Sequence, residues 1–169
     1  LAFVSDRSGT PQIWLIDRYG GEARQLTAMR HGASHPVWSP DGRRIAFLSP
    51  VGPEDRRELL TRPRTEDEKK VEERKAADEA RVFTRMIWRS DAAGILPERR
   101  NQIWVVDVPE PGAPMPAPIQ VTWGFYDHED PQWSPDGRLL SFVAWRSEDE
   151  HAYKQDVFIT PVPGPDDPA

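Results

Sequence analysis

Trp38-Ser-Pro-Asp-Gly-Arg43 is written a second time as Trp133-Ser-Pro-Asp-Gly-Arg138, and the chemistry of this hexapeptide is that of a tight reversal between two strands. Pro40 and Pro135 pre-set φ for the first corner position. Asp41 and Asp136 suit the second, where a short carboxylate can accept from the nearby backbone. Gly42 and Gly137 supply positive φ without steric strain. The pattern predicts a hairpin with a glycine bulge.

Outward from the two turns the repetition continues in a fixed order. Ile45-Ala-Phe-Leu-Ser49 follows the first and Leu140-Ser-Phe-Val-Ala-Trp-Arg-Ser147 the second, and Leu1-Ala-Phe-Val-Ser-Asp-Arg-Ser8 is a third copy. Gln12-Ile-Trp-Leu-Ile-Asp17 matches Gln102-Ile-Trp-Val-Val-Asp107, with Asp156-Val-Phe-Ile-Thr160 a weaker third. Gln25-Leu-Thr27 matches Gln120-Val-Thr122. These segments are β-branched and aromatic, without helical periodicity. Four short strands per unit, repeated, is the blade of a β-propeller. Phe3, Phe47 and Phe142 share one position, Trp14, Trp104 and Phe158 another, and Trp38 and Trp133 a third; large side chains at fixed offsets are expected to pack between stacked blades.

The expected fold is therefore all-β: a propeller fragment of about two and a half to three four-stranded blades. Residues 1–27 form a blade lacking its first strand, residues 35–122 a blade carrying an insertion over 50–100, and residues 131–164 an incomplete blade. A closed ring usually needs at least four blades, so exposed edges and poor behaviour in isolation are expected. Leu1 falls inside a strand pattern, without Met or a signal peptide, which reads as a piece of a longer chain. Seven tryptophans argue against disorder, and 18 prolines and 11 glycines for many turns. A net charge of −6 argues against a nucleic-acid surface. No apolar run approaches the ~20 residues that span a bilayer. The absence of cysteine removes disulfides and thiolate metal sites and suits a cytoplasmic location.

The two Trp-Ser-Pro-Asp-Gly-Arg copies lie 95 residues apart, about double the usual spacing of roughly 40–50 residues. The excess is the insertion. Residues 66–80 read as a helix, capped by Thr65 with Glu68 completing a capping box. Ion pairs are expected at Glu66–Lys70 and Lys75–Glu79. Its thin apolar content leaves two readings, a solvated arm or an arm that contacts a partner over one face of the propeller. Residues 81–89 alternate as a strand does, and Ser90-Asp-Ala-Ala-Gly94 reads as a turn.

Motifs for chemistry are missing. No Gly-x-Ser-x-Gly elbow occurs; Gly32-Ala-Ser-His-Pro36 begins like one but has Pro in place of the second Gly. There is no Walker loop, dinucleotide fingerprint or His-Glu-x-x-His, so no cofactor is expected. Asp127-His-Glu-Asp130 contains metal-ligand residue types. Its counterpart in the earlier repeat is Gly32-Ala-Ser-His35, so it reads as the loop leading into a first strand, and no metal is expected. There Asp130 and His35 precede a proline, where a polar side chain can tie down the turn. His31 and His151 show no partner and are expected in solvent. Arg7 and Arg146 recur after equivalent strands, which favours a structural role. Arg89 ends the inserted strand and is the candidate to hold a peptide carboxylate as a substrate contact.

The repeats resemble those of TolB and of the prolyl oligopeptidase family of serine peptidases. The Leu1–Thr27 stretch fits either, and Ser5-Asp-Arg-Ser-Gly9 followed by Gln12-Ile-Trp14 motivates the TolB-like reading. Arg81-Val-Phe-Thr-Arg-Met-Ile-Trp-Arg-Ser-Asp91 followed by Gln102-Ile-Trp-Val-Val-Asp107, and Tyr126-Asp-His-Glu-Asp-Pro-Gln-Trp-Ser-Pro-Asp-Gly-Arg138 running into Phe142-Val-Ala-Trp-Arg-Ser-Glu-Asp149, resemble the acylaminoacyl-peptidase and dipeptidyl-aminopeptidase type more closely. That resemblance implies a propeller capping an α/β-hydrolase domain that carries the Ser, Asp and His of a triad. The propeller would gate entry to short peptides. None of the triad maps onto these residues; the hydrolase would follow Ala169. The parent would be a cytoplasmic peptidase, possible as a homo-oligomer. The other reading is a TolB-like protein-binding propeller without an enzyme.

Overall fold

The computed structural model describes residues 1–53, 55–78, 89–90, 94–95, 98–110, 112–145 and 155–164. The first sheet contains β1 (Ala2–Ser5), β2 (Gln12–Leu15) and β3 (Arg24–Gln25). The second runs from β4 (Ser34–Trp38) and β5 (Arg44–Val51), through α1 (Arg57–Leu60), α2 (Glu66–Asp78), β6 (Arg89–Ser90) and β7 (Gly94–Ile95), back to β8 (Arg100–Asp107) and β9 (Ile119–Gln120). The third contains β10 (His128–Trp133), β11 (Leu139–Ala144) and β12 (Asp156–Pro161). Spatial order is β1-β2-β3, β4-β5-β8-β9 and β10-β11-β12, all antiparallel meanders, with β6-β7 a separate ribbon. This is a partial propeller fold.

Both hairpin turns close in the same way. Gly42 N–H donates to the Ser39 carbonyl and Gly137 N–H to that of Ser134, each at 2.9 Å. Ser39 Oγ donates to Asp41 (2.6 Å), Asp41 accepts from the Arg43 amide (3.1 Å), and Ser39 Oγ accepts from the Arg44 amide (2.9 Å). Ser134, Asp136, Arg138 and Leu139 repeat every one of these bonds. Gly42 and Gly137 have φ of 68° and 69°, the left-handed corner that glycine occupies without strain. The hydroxyl and amide donors hold the carboxyls of Asp41 and Asp136 below the ordinary range.

His35 and Asp130 share an unusual backbone position. Both lie at positive φ, 52° and 49°, and both sit in register shifts, between Ser34 and Val37 and between Glu129 and Gln132. They are the extra residues of matching bulges, a place where His and Asp tolerate the left-handed region.

The middle sheet is buried on both faces. Ile45, Phe47, Trp104 and Val106 face the first sheet, where they meet Ile13, Leu15 and Leu26. Ala46, Leu48, Ile103 and Val105 face the third, where they meet Leu140, Phe142 and Ala144. Strand alternation assigns each face, and each fully buried large side chain stabilises by roughly 1.5–3 kcal/mol. The aromatic positions pack as the repeat implies at Phe47, Trp104 and Phe142. Trp133 spans the junction, its Nε1–H donating 3.1 Å to the Val37 carbonyl under the Arg44 guanidinium. Arg44 Nη2 also donates to the Gly137 carbonyl at 2.6 Å. Trp38, the counterpart of Trp133, stays part exposed, since the first sheet has no strand equivalent to β4 among the described residues.

The repeated Gln and Thr are a buried latch. Thr27 Oγ1 accepts from the Ile13 amide (2.9 Å) and donates to Gln12 Oε1 (2.8 Å). Thr122 Oγ1 does the same for Ile103 (2.8 Å) and Gln102 (3.0 Å). The last short strand of the first sheet and of the middle sheet is thereby fastened where the ladder ends.

The sheet retains Pro50, Val51 and Arg100, since Pro50 pairs with Asn101 and Val51 with Arg100; the connection proper is residues 52–99. Within it α2 begins at Glu66 as the capping box requires. The Thr65 amide donates to Glu68 (2.9 Å) and the Glu68 amide to Thr65 Oγ1 (3.3 Å). Glu66 pairs with Lys69 at 2.7 Å in place of Lys70. Glu79, and the alternating stretch up to Trp88, lie outside the described residues.

Candidate functional site at the loop end of the sheets

Antiparallel order puts the Pro-Asp-Gly turns at one end of the sheets. The β5–β8 connection and the loops between sheets share the other end. In the first such loop, Gln12 Nε2 donates to the Met29 carbonyl at 2.8 Å, and Arg30 N–H donates to the Leu60 carbonyl at 2.8 Å. Gly32, at φ 91°, is a point of close approach: a Cβ there would stand 3.1 Å from the Pro11 carbonyl oxygen. It is a packing glycine leading into β4.

Arg30 and His31 hold the insertion. Arg30, 9% exposed, reaches Glu68 (3.3 Å) and Glu72 (2.5 Å), one helical turn apart. Arg62 reaches Glu68 (2.6 Å) and Arg64 reaches Glu72 (3.0 Å). Hydrogen bonding by Arg62 holds the Glu68 carboxyl well below the carboxylate range. Partial burial raises Glu72, but Arg64 and Arg30 outweigh it and its pKa falls. His31 is not in solvent: its side chain is 5% exposed and Nε2 lies 2.9 Å from both Asp55 oxygens. A carboxylate only accepts, so Nε2 carries the hydrogen. Burial raises Asp55, yet His31 and the Gly52 amide (2.7 Å) together lower it. No sequence repeat marks these partners, because the insertion occurs once. His151 lies outside the described residues.

The second loop is built on the same frame. Gln102 Nε2 donates to the carbonyls of Gly124 (3.0 Å) and Tyr126 (3.3 Å), and Arg100 Nε to that of Phe125 (2.9 Å). Asp127 accepts from the Asn101 amide (2.8 Å), and His128, fully buried against Phe142, has Nδ1 3.2 Å from the Asn101 carbonyl. Asp127 and His128 are thus engaged with one backbone residue, and among the described residues no three His, Asp or Glu side chains converge as a metal-ligand set. Between this loop and the insertion lies a cleft of about 320 Å³, lined by Val51, Asp55, Leu60, Arg100, Trp123 and Phe125 among others.

Arg7 stacks on Trp14 and Phe3, 4.7 and 5.5 Å from the ring centroids, and its Nε donates to Ser5, a structural role. Arg146 lies outside the described residues. Arg89 pairs with Ile95 in the β6–β7 ribbon; its side chain lies outside the description. No helix among the described residues is long and apolar enough to cross a membrane.

Fold and repeat together define the class: a segment of a β-propeller made of TolB-like repeats, of the kind shared by a peptidase and by TolB homologues. The chain is 32% identical over 161 residues to the uncharacterized peptidase YuxL of Bacillus subtilis (strain 168), covering 94% of this chain and 22% of that protein. It is 28% identical over 158 residues to the TolB homolog of Chlorobium chlorochromatii (strain CaD3), covering 86% of this chain and 31% of that protein. It therefore spans less than a third of either relative. The solved structure of a putative TolB from Agrobacterium tumefaciens matches with a TM-score of 0.52 at 18% identity, covering 95% of this chain and 41% of that one; this likeness speaks for the fold. No protein-family profile matches the chain.

Proposed function

We propose that this chain is the non-catalytic propeller segment of a serine peptidase and gates short peptides toward an α/β-hydrolase domain of the same parent. The observation that carries the reading is the similarity to YuxL, which extends over 94% of the chain and so runs through the insertion-bearing sheet. The sequence contains no Gly-x-Ser-x-Gly, so in this reading the chemistry would fall to another part of the parent. The three sheets are read as one complete and two incomplete blades, and the parent as a cytoplasmic protein that can form homo-oligomers. Arg89 remains the proposed contact for a substrate carboxylate. The second reading, a TolB-like protein-binding propeller without an enzyme, is favoured by the match to the Chlorobium protein.

The test compares this chain with a form extended at its C-terminus, on aminoacyl and acylaminoacyl chromogenic substrates. Hydrolysis is expected only from the extended form. An extended reading frame without Gly-x-Ser-x-Gly sinks the peptidase reading.

A further inference from the structure

The loops that lead from β3 to β4 and from β9 to β10 are equal in length between the latch threonine and the bulge, so Ala28, Met29, Arg30 and His31 correspond to Trp123, Gly124, Phe125 and Tyr126. Their frames coincide, since Gln12 and Gln102 each donate to the carbonyl of the second loop residue. Their occupants do not. In the first loop Arg30 is filled by Glu68 and Glu72 and His31 by Asp55. In the second loop, Trp123 is 58% and Phe125 75% exposed. Three hydrogen bonds from Gln102 and Arg100 pin the backbone beneath them. Two bare aromatic rings on a fixed backbone, beside a cleft of about 320 Å³, within the size of ligand pockets, form a pre-organised apolar platform.

We infer that this cleft binds a short peptide through an aromatic or large apolar side chain seated against Trp123 and Phe125. The lining also carries the Arg100 guanidinium, which suits the carboxylate of a short peptide. Among the described contacts Arg100 uses Nε and Nη1 on the Phe125 and Arg99 carbonyls, which leaves Nη2 to meet a carboxylate. Val51 and Leu60 form the apolar floor. The inference deepens the peptide-gating reading by giving the peptide a place, and rests on that reading for the ligand class.

The experiment is calorimetric titration of the full chain with the tripeptides alanyl-phenylalanyl-alanine, alanyl-lysyl-alanine and alanyl-glutamyl-alanine, and with cellobiose. Saturable binding is expected for the phenylalanyl peptide alone. The Trp123→Ala/Phe125→Ala variant should weaken it by about tenfold, from the loss of two aromatic contacts. Tyr19→Ala, an exposed aromatic outside the cleft, should leave it unchanged. Far-ultraviolet dichroism checks that each variant is folded. Equal binding of all three peptides, preference for cellobiose, no saturable binding, or unchanged affinity in the double variant overturns the inference. Since the titration requires no hydrolysis, its failure is separate from failure of the peptidase assay.

Discussion

Thr27 and Thr122 each supply from a side chain the acceptor that a ladder partner would otherwise give, and each is buried with its glutamine. Thr122→Val keeps the shape but orphans the Ile103 amide and Gln102 Oε1, and a buried unsatisfied group costs about 1–3 kcal/mol. The urea midpoint of the chain should fall accordingly, and an unchanged midpoint would show that water replaces the hydroxyl. The residues of the latch were visible as a repeat, because Gln-Ile-Trp recurs whole and Gln-Leu-Thr at 25–27 is matched by Gln-Val-Thr at 120–122. Their bonding was not, since Gln102 and Thr122 meet only after the chain reverses. The turn residues were legible in full, because Pro, Asp and Gly act on backbone within three positions. His31 was misread for the opposite reason: its partner Asp55 lies in a segment without a second copy.

At the scale of elements, α2 is fastened by charge. Its Val71 is exposed, and the described contacts that tie it to the rest of the chain are the pairs of Glu68 and Glu72 with Arg30, Arg62 and Arg64. Both glutamates have folded pKa values below the unfolded value of about 4.3. A depressed carboxyl contributes stability that is fully present above the unfolded pKa and is lost as pH falls through the folded value. Docking of α2 should therefore be level from pH 5 to 8 and weaken below about pH 4, and 1 M salt, with a screening length of about 3 Å, should weaken it at any pH. Arg30→Ala should raise hydrogen exchange across residues 61–78 several-fold while strands β5 and β8 stay protected; equal exchange in both proteins would assign the hold to other contacts. The helix and its capping box were legible because they are local. The clamp was not, because Arg30 comes from the preceding loop, and exposed pairs such as Glu66–Lys69 settle between i+3 and i+4 partners according to rotamer.

For the whole molecule, the decisive contrast lies between the middle sheet, with a core on each face, and the third sheet, whose outer face shows Val157 and Ile159 at 71% and 68% exposure. Their counterparts Ile103 and Val105 are buried against the third sheet, so the outer face has the pattern of a blade interface without a blade on it. At high concentration this chain should self-associate through that face. Val157→Thr/Ile159→Thr should lower the associated fraction in sedimentation velocity, and no change would move the sticky surface elsewhere. The propeller pattern was legible at this scale because each sheet repeats the last. The cleft was not, since it forms where a repeated loop meets an unrepeated insertion.

Val51 and Arg100 remain cross-strand partners although residues 52–99 intervene. Loop closure grows only with the logarithm of length, so extending a turn of roughly four residues to this size costs about 2 kcal/mol. The same register would accept a shorter or foreign segment, which makes this junction a graft point: a cassette exchanged there would alter what the loop end recognises while β5 and β8 keep their pairing.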